Sequence, residues 1–265
     1  MRVGFIGAGN MGGALIKGLI ENKKYEINIC DHNLKALTKY EKDVNITTDD
    51  ASKVINESDI IILAIKPHMY KNFLIENKNI IGNKLIVSIA AGISSNFMSN
   101  LVSKYLIVMP NTPASVNLGM TSIVDNDLLN TAEKEAIADI FGSIGEITHI
   151  EEKDLELMIT IAGSSPAYFE LVIEAMSKFA VKQGMDEKSA YMIAAQVMNA
   201  TSMMQLKSDL SPRELTTNVC SPNGTTEKAV KYFDNNGLAD MFDKAMQACF
   251  DRAKEMKREN DESLK

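Results

Sequence analysis

Two stretches of this chain have residue types and spacings suited to chemistry. In the first, Gly7, Gly9 and Gly12 form a Gly-x-Gly-x-x-Gly pattern whose neighbours give it meaning. Val3 to Ile6 is an apolar run too short for a helix, and the residues from Ala14 through Lys17 recur at helical spacing. Strand, glycine turn and helix in that order make a cradle for a pyrophosphate. Gly7 permits the tight turn, Gly9 lets backbone approach the phosphates with no Cβ in the way, and Gly12 lets the helix pack close on its strand. The helix N-terminus adds free N–H groups and a positive dipole end. Asp31 stands at the end of the next short strand, Glu26 to Cys30, about 20 residues beyond the loop, where a carboxylate can hold a ribose 2′-hydroxyl. It is also a residue that caps a helix starting near Asn33, and both roles can hold at once. A carboxylate there repels a 2′-phosphate and favours NADH over NADPH; His32 and Lys35 are close enough in sequence to soften the preference.

The second stretch is Val219-Cys220-Ser221-Pro222-Asn223-Gly224-Thr225-Thr226. Pro-Asn-Gly forces a turn, and a helix follows through Ala229, Val230 and Phe233. Free N–H groups at that helix start suit a carboxylate-sized anion, with the Ser221, Thr225 and Thr226 hydroxyls to orient it. Taken alone, the stretch reads as an ordinary capping turn. Other chemistry has little support: His32, His68 and His149 are scattered, there is no Gly-x-Ser-x-Gly, and Cys220 has no base near it in sequence. Cys30, Cys220 and Cys249 are too far apart for a zinc site or a disulfide framework, so no metal is expected and a reducing cytoplasm fits best.

The elements that must position these residues fall into two parts. Up to about Ile150 the chain alternates short apolar runs (Asn45 to Thr47, Asp59 to Ile65, Lys84 to Ile89, Leu106 to Met109, Met120 to Val124 and Glu146 to Ile150) with helical segments such as Asp50 to Asn56, Met69 to Asn79 and Ala132 to Phe141. Nearly continuous Ile, Leu and Val runs are those of a mostly parallel sheet covered on both faces, a doubly wound α/β fold of Rossmann type. Ligands of such sheets bind beyond the carboxyl ends of the strands. That makes candidates of Ala64-Ile65-Lys66-Pro67, Ala90-Ala91-Gly92 and Pro110-Asn111-Thr112-Pro113; Lys66 is either a phosphate or ribose contact or a solvated lysine. From Glu151 onward the helical period takes over, giving domains of 1–150 and 151–265, the second all helical. Phe169, Val172, Ile173, Met176, Phe179 and Ala180 form one stripe. Ile193, Val197, Ala200 and Met204 form another, and Leu238, Met241, Phe242, Ala245 and Cys249 a third. The plain expectation for these Met-rich stripes is core; stripes so wide can also bury against a second subunit. Ser211-Pro212-Arg213-Glu214 reads as a capping box and Gly184 as a helix stop.

With 265 residues, 45% hydrophobic, the chain can bury a real core, and a net charge of −7 argues against a nucleic-acid or anionic-membrane binder. No apolar run approaches the roughly 18 residues of a membrane span. Met1-Arg2 followed by apolar residues imitates a secretory leader, but Asn10, Lys17 and the glycines interrupt its core. The charged end, Asp251 to Lys265, reads as a solvated helix that frays into a tail.

Six stretches together go further. The glycine loop with Asn10-Met11, Ala64-Ile65-Lys66-Pro67, Ala90-Ala91-Gly92, Met109-Pro110-Asn111-Thr112-Pro113, Gly163-Ser164-Ser165-Pro166-Ala167-Tyr168 and Ser221-Pro222-Asn223-Gly224-Thr225-Thr226 follow one another as in pyrroline-5-carboxylate reductases. The chain resembles that family from end to end. The resemblance implies reduction of 1-pyrroline-5-carboxylate to L-proline with NADPH or NADH, the family leaning towards NADPH where Asp31 leans towards NADH, as the last step of proline synthesis. It also implies a Rossmann domain followed by a helical dimerisation domain, and homodimers that often build larger rings such as decamers. The candidate cofactor contacts are then Ile6, Gly7, Gly9, Asn10, Met11 and Gly12, with Asp31, Ala64, Lys66, Pro67 and Asn111. The nicotinamide is expected to point at the helical domain. There the substrate carboxylate would sit on the N–H groups of Gly224 and Thr225, assisted by Ser221, while the catalytic Thr226 hydroxyl bonds the ring nitrogen. Two residues depart from the family: Asn223 replaces a glycine in a turn that Asn tolerates, and Ser165 replaces another, with a hydroxymethyl that could crowd the site or the dimer. The rival readings are another imine or 3-hydroxyacid reductase of this fold, and a silent nucleotide-binding paralogue.

Overall fold

A computed structural model describes residues 1–264. The apolar runs become eight strands: β1 (Arg2–Ile6), β2 (Glu26–Cys30), β3 (Ile46–Thr48), β4 (Ile60–Leu63), β5 (Leu85–Ser88), β6 (Tyr105–Met109), β7 (Gly119–Val124) and β8 (Gly145–Ile150). They form one sheet in the order β3-β2-β1-β4-β5-β6-β7-β8. Neighbouring strands are parallel except β6 and β7, which meet antiparallel. The chain starts in the middle of the sheet and winds outward both ways, so strand order reverses between β1 and β4. That is where an open parallel sheet leaves a crevice at its carboxyl edge.

Strand parity shows why the runs are apolar at every position. Ile60, Ile62, Leu85, Val87, Leu106 and Val108 join the core on one face, whereas Ile61, Leu63, Ile86, Ile107 and Met109 join the core on the other. Both faces are covered, as near-continuous hydrophobic strands require. The connecting helices are α1 (Asn10–Asn22), α2 (Leu34–Leu37), α3 (Ala51–Asn56), α4 (Tyr70–Glu76), α5 (Lys78–Ile81), α6 (Ser95–Ser99), α7 (Thr131–Gly142) and α8 (Leu155–Met158). The helix expected over Met69 to Asn79 is broken into α4 and α5. The break falls at Asn77, whose side chain donates back to the Phe73 carbonyl at 2.9 Å beside its own N–H at 3.1 Å.

The later helices are α9 (Ser165–Lys182), α10 (Glu187–Leu206), α11 (Pro212–Val219), α12 (Thr225–Asn235) and α13 (Leu238–Glu262). By compactness, Met1–Pro166 and the chain from Cys249 onward form one unit, and Ala167–Ala248 another. The C-terminal end is the charged, largely exposed helix that its alternating signs suggest, but it is anchored and does not fray over this length. It is helical through Glu262, and Ala253 is only 3% exposed, in the core of the first unit.

The second unit reverses the core expectation for the Met-rich stripes. Ser177, Ala190 and Ala194 are its buried residues, while Phe169, Phe179 (67% exposed), Met192, Val197, Met204 and Met241 face outward. Helices of α9 and α10 length with their apolar faces uncovered are built to be buried by another surface. No helix among the described residues is long and apolar enough to cross a membrane.

One buried polar contact holds the sheet edge that matters below. Tyr70, at the start of α4, is fully buried; its hydroxyl donates to the Leu63 carbonyl at the end of β4 (2.7 Å) and accepts from Ser88 Oγ at the end of β5 (3.2 Å). Burial pushes this phenol well above its usual range, so it stays a donor. Tyr70→Phe removes one partner from each neighbour and is expected to cost about 1–3 kcal/mol. Urea denaturation, with an unchanged m-value, measures it.

Candidate functional site

In the first unit the sheet register brings the ends of β1, β2 and β4 to one edge. Gly7 N–H donates to the Cys30 carbonyl at 2.8 Å and Ala64 N–H to the Ile6 carbonyl at 2.8 Å, so Ile6, Gly7, Asp31 and Ala64 share it. Gly7 has φ +100°, which an L side chain rarely adopts. A Cβ on Gly12 would lie 2.5 Å from the Gly7 carbonyl oxygen and 2.8 Å from the Ala64 Cβ, so α1 rests directly on the β1–β4 edge. Gly9 is the opposite case: a Cβ there would meet nothing within 4 Å. Gly9 is also the N-cap of α1 and no side chain caps the helix, leaving Asn10 and Met11 at a bare N-terminus beside open space. These features fit a dinucleotide pyrophosphate.

Asp31 is tied to this loop rather than to a helix. Its carboxylate accepts from Ala8 N–H at 2.7 Å and from Asn33 N–H at 2.9 Å, and Asn33, not Asp31, is the N-cap of α2. A carboxylate has lone pairs beyond these two bonds, so a ribose hydroxyl can still donate to it. The Ala8 bond links the two expected halves of a dinucleotide site, and nothing in the sequence announced it. His32 Nδ1 lies 3.3 Å from Asp31 Oδ1.

The loop after β4 carries Lys66, exposed, and Pro67 at the first position of a 3-10 turn, Pro67–Met69. The loop after β6 has a different character. Asn111 is 7% exposed; its Nδ2 donates to the Ala162 carbonyl at 3.0 Å and its Oδ1 accepts from Met120 N–H at 2.9 Å. Ala162 lies in a π-helical turn, Ile159–Gly163. Four residues after it stands Pro166, which has no N–H to give that carbonyl. The Asn111 side chain supplies the missing donor and is thereby turned into the protein, with one N–H and one lone pair already committed. Ser165 donates to the Ile161 carbonyl at 2.7 Å, which gives its extra hydroxymethyl a place within the chain.

In the second unit, the turn before α12 forms as read: Asn223 adopts φ +56° and α12 starts at Thr225 with Gly224 as N-cap. One expected donor is not free. Gly224 N–H closes the turn onto the Ser221 carbonyl at 2.9 Å and Lys228 N–H makes the first helical bond, so the first-turn donors left for an anion are those of Thr225, Thr226 and Glu227. Gly224 is required here, since a Cβ would lie 2.2 Å from Ser221 Oγ; the serine hydroxyl therefore crosses the helix start. Glu227 accepts from Asn223 N–H at 2.7 Å and pairs with Lys231 at 2.7 Å, and these bonds hold its carboxyl below the usual range. The Thr226 hydroxyl has no hydrogen-bond partner among the described residues. Cys220 is half-buried, and burial pushes the Cys30 thiol up to about 11, so Cys30 is no nucleophile. Among the described residues no group of His, Cys, Asp and Glu could hold a metal.

Residues 152–256 match the family model described as pyrroline-5-carboxylate reductase dimerisation, and residues 2–92 match that described as NADP oxidoreductase, coenzyme F420-dependent. The chain is 35% identical to a pyrroline-5-carboxylate reductase of Vibrio alginolyticus over 97% of its length and 98% of the relative's. It is 34% identical to that of Escherichia coli over 96% and 98%. Among solved structures, a Plasmodium falciparum pyrroline carboxylate reductase with NADP bound is similar at TM-score 0.89 and 28% identity, over 97% of this chain and 98% of that one. Identity of 34–35% along nearly the whole of both chains, with a matching dimerisation model, leads to one assignment: the chain belongs to the pyrroline-5-carboxylate reductase family.

Proposed function

We propose that this chain reduces 1-pyrroline-5-carboxylate to L-proline, using NADH or NADPH. The observation that carries the reading is the meeting of the glycine loop, the uncapped start of α1 and Asp31 at the point where strand order reverses, in a chain that matches the family along its whole length. On this reading residues 1–150 are the nucleotide-binding domain and residues 151–265 the dimerisation and substrate domain, a division by chemistry rather than compactness. The bound cofactor supplies the hydride; the work of the chain is binding and orientation.

The N–H groups at the start of α1, around Gly9, Asn10, Met11 and Gly12, would hold the pyrophosphate, with Ile6 and Gly7 shaping the turn beneath it. Asp31 would hold the ribose, and Ala64, Lys66 and Pro67 would wall the cleft. Asn111 serves by fixing the loop after β6. The substrate carboxylate would take the Thr225 and Thr226 N–H groups and the Ser221 hydroxyl, with Gly224 shaping the turn. Thr226 Oγ1 would accept from the protonated ring nitrogen, keeping the imine in its more electrophilic form. The uncovered apolar faces of the second unit and the dimerisation match support a homodimer through the helical domain, and the family resemblance extends this to assemblies such as decamers. The free cysteines fit a reducing cytoplasm.

Three outcomes test this. Thr226→Ala is expected to lower kcat/KM for 1-pyrroline-5-carboxylate by about ten- to a hundredfold, the loss of one hydrogen bond to a charged group, with Thr226→Ser largely restoring it; full retention would sink the role of the hydroxyl. Asp31 gives NADH the higher kcat/KM, and Asp31→Asn should shift the NADPH-to-NADH ratio upward by about tenfold, the scale of one charge at close range in a partly solvated site. Light scattering should give a mass of two chains or a multiple of two, and Phe179→Asp on the exposed face of α9 should shift it towards the single chain.

A further inference from the structure

We propose that the end of α13 is a positioning brace for the loop after β5, so that Asn260 and Asp261 set the affinity of the chain for its nicotinamide cofactor. The inference rests on the cofactor reading of the carboxyl edge of the sheet. The loop in question, Ala90-Ala91-Gly92, has almost no side chains with which to anchor itself, and its backbone position is therefore set by whatever bonds it from outside.

Ala90 N–H lies 3.5 Å from Ser88 Oγ, and the partner of the rest of the loop is one face of α13. Gly92 has φ +80°, and a Cβ on it would lie 2.8 Å from the Met256 Cβ, so the helix is pressed directly against the loop. Asn260 Nδ2 donates to the Gly92 carbonyl at 2.8 Å. Ser94 Oγ donates to Asp261 Oδ1 at 2.5 Å while accepting from Phe97 N–H at 2.9 Å. Ser94 is 1% exposed and Ile93, between the two bonded residues, is fully buried. The helix is itself fixed: Lys257 lies 3.0 Å from Glu156, which is 6% exposed, and 3.8 Å from Glu152, whose Oε1 accepts from Ser95 N–H at 2.9 Å. Lys71 donates to the Ser263 carbonyl. Apolar packing alone has no preferred direction along a loop. Two directed bonds on either side of Ile93 do, and they fix the direction of the Gly92 carbonyl and the position of Ser94.

The test uses the full chain with Asn260→Ala and Asp261→Ala combined. Measured quantities are amide hydrogen exchange of residues 90–98 without cofactor, Kd for NADH and NADPH by fluorescence, steady-state kinetics and thermal unfolding. The brace predicts faster exchange in 90–98 and a rise in cofactor Kd and KM of about five- to tenfold, the scale of one or two lost hydrogen bonds, with kcat changed by less than about twofold. Asp261→Asn keeps the acceptor for Ser94 and should bind cofactor as the wild type does; Glu262→Ala, exposed on the same turn, should also be silent. If the double variant does not fold, Asp261→Ala alone is read on the same scales. Unchanged Kd, or equal weakening by Glu262→Ala, overturns the brace. A wild-type chain that binds either cofactor but reduces no cyclic imine overturns the reductase reading alone, because the Kd values still judge the brace. A wild-type chain that binds neither cofactor overturns both.

Discussion

The contact on which the rest of this structure depends is the approach of α1 to the β1–β4 edge. Gly12 lies so near the Gly7 carbonyl and the Ala64 methyl that a single added carbon would overlap both. That closeness fixes the direction of α1, and with it the uncapped N–H groups that end beside the open space at Gly9. The loop after β4 is caught in the same contact, and Tyr70 holds it from behind through the Leu63 carbonyl and Ser88. A larger residue at position 12 would lift the helix, and the dipole end, the cleft and the loop would move together.

Polar groups around the cleft are shared between structure and chemistry, which limits what is left for a ligand. Asp31 steadies the glycine loop through Ala8 N–H before any ribose arrives. Gly224 N–H closes its own turn. Asn111 completes the carbonyl that Pro166 leaves without a helical donor, so a residue placed like a ligand contact works as a fastener between the β6 loop and the π-helical turn. In each case an unpaired buried or capping group would cost more than the bond returns elsewhere, and the local demand is met first.

The second unit shows the same physics on a larger scale. Its helices are regular, with side-chain caps at the starts of α10 and α11, yet the residues buried among them are small: Ser177, Ala190 and Ala194. Phe179, Met192 and Leu206 are left largely exposed by the described residues. Helix formation alone returns little against the ordering of so many side chains, and residues 152–256 match a dimerisation model, in which such faces have a surface to bury against.

The sequence by itself determined the local chemistry: which runs are strands, where glycine and proline end them, the capping box at Ser211 and the Asn223 turn, because these depend on residues within a few positions of one another. It also carried both faces of the parallel sheet, since burial on two sides leaves an unbroken apolar run. What the tertiary structure alone decided is which polar groups meet across long separations. Ala8 with Asp31, Asn111 with Ala162 and Asn260 with Gly92 are directed bonds between distant segments, and a hydrogen bond leaves no periodic trace in a sequence. The apolar stripes of the helical region were legible as stripes; whether they faced inward or outward was not, because hydrophobic spacing records that a face is buried and is silent about whose surface buries it.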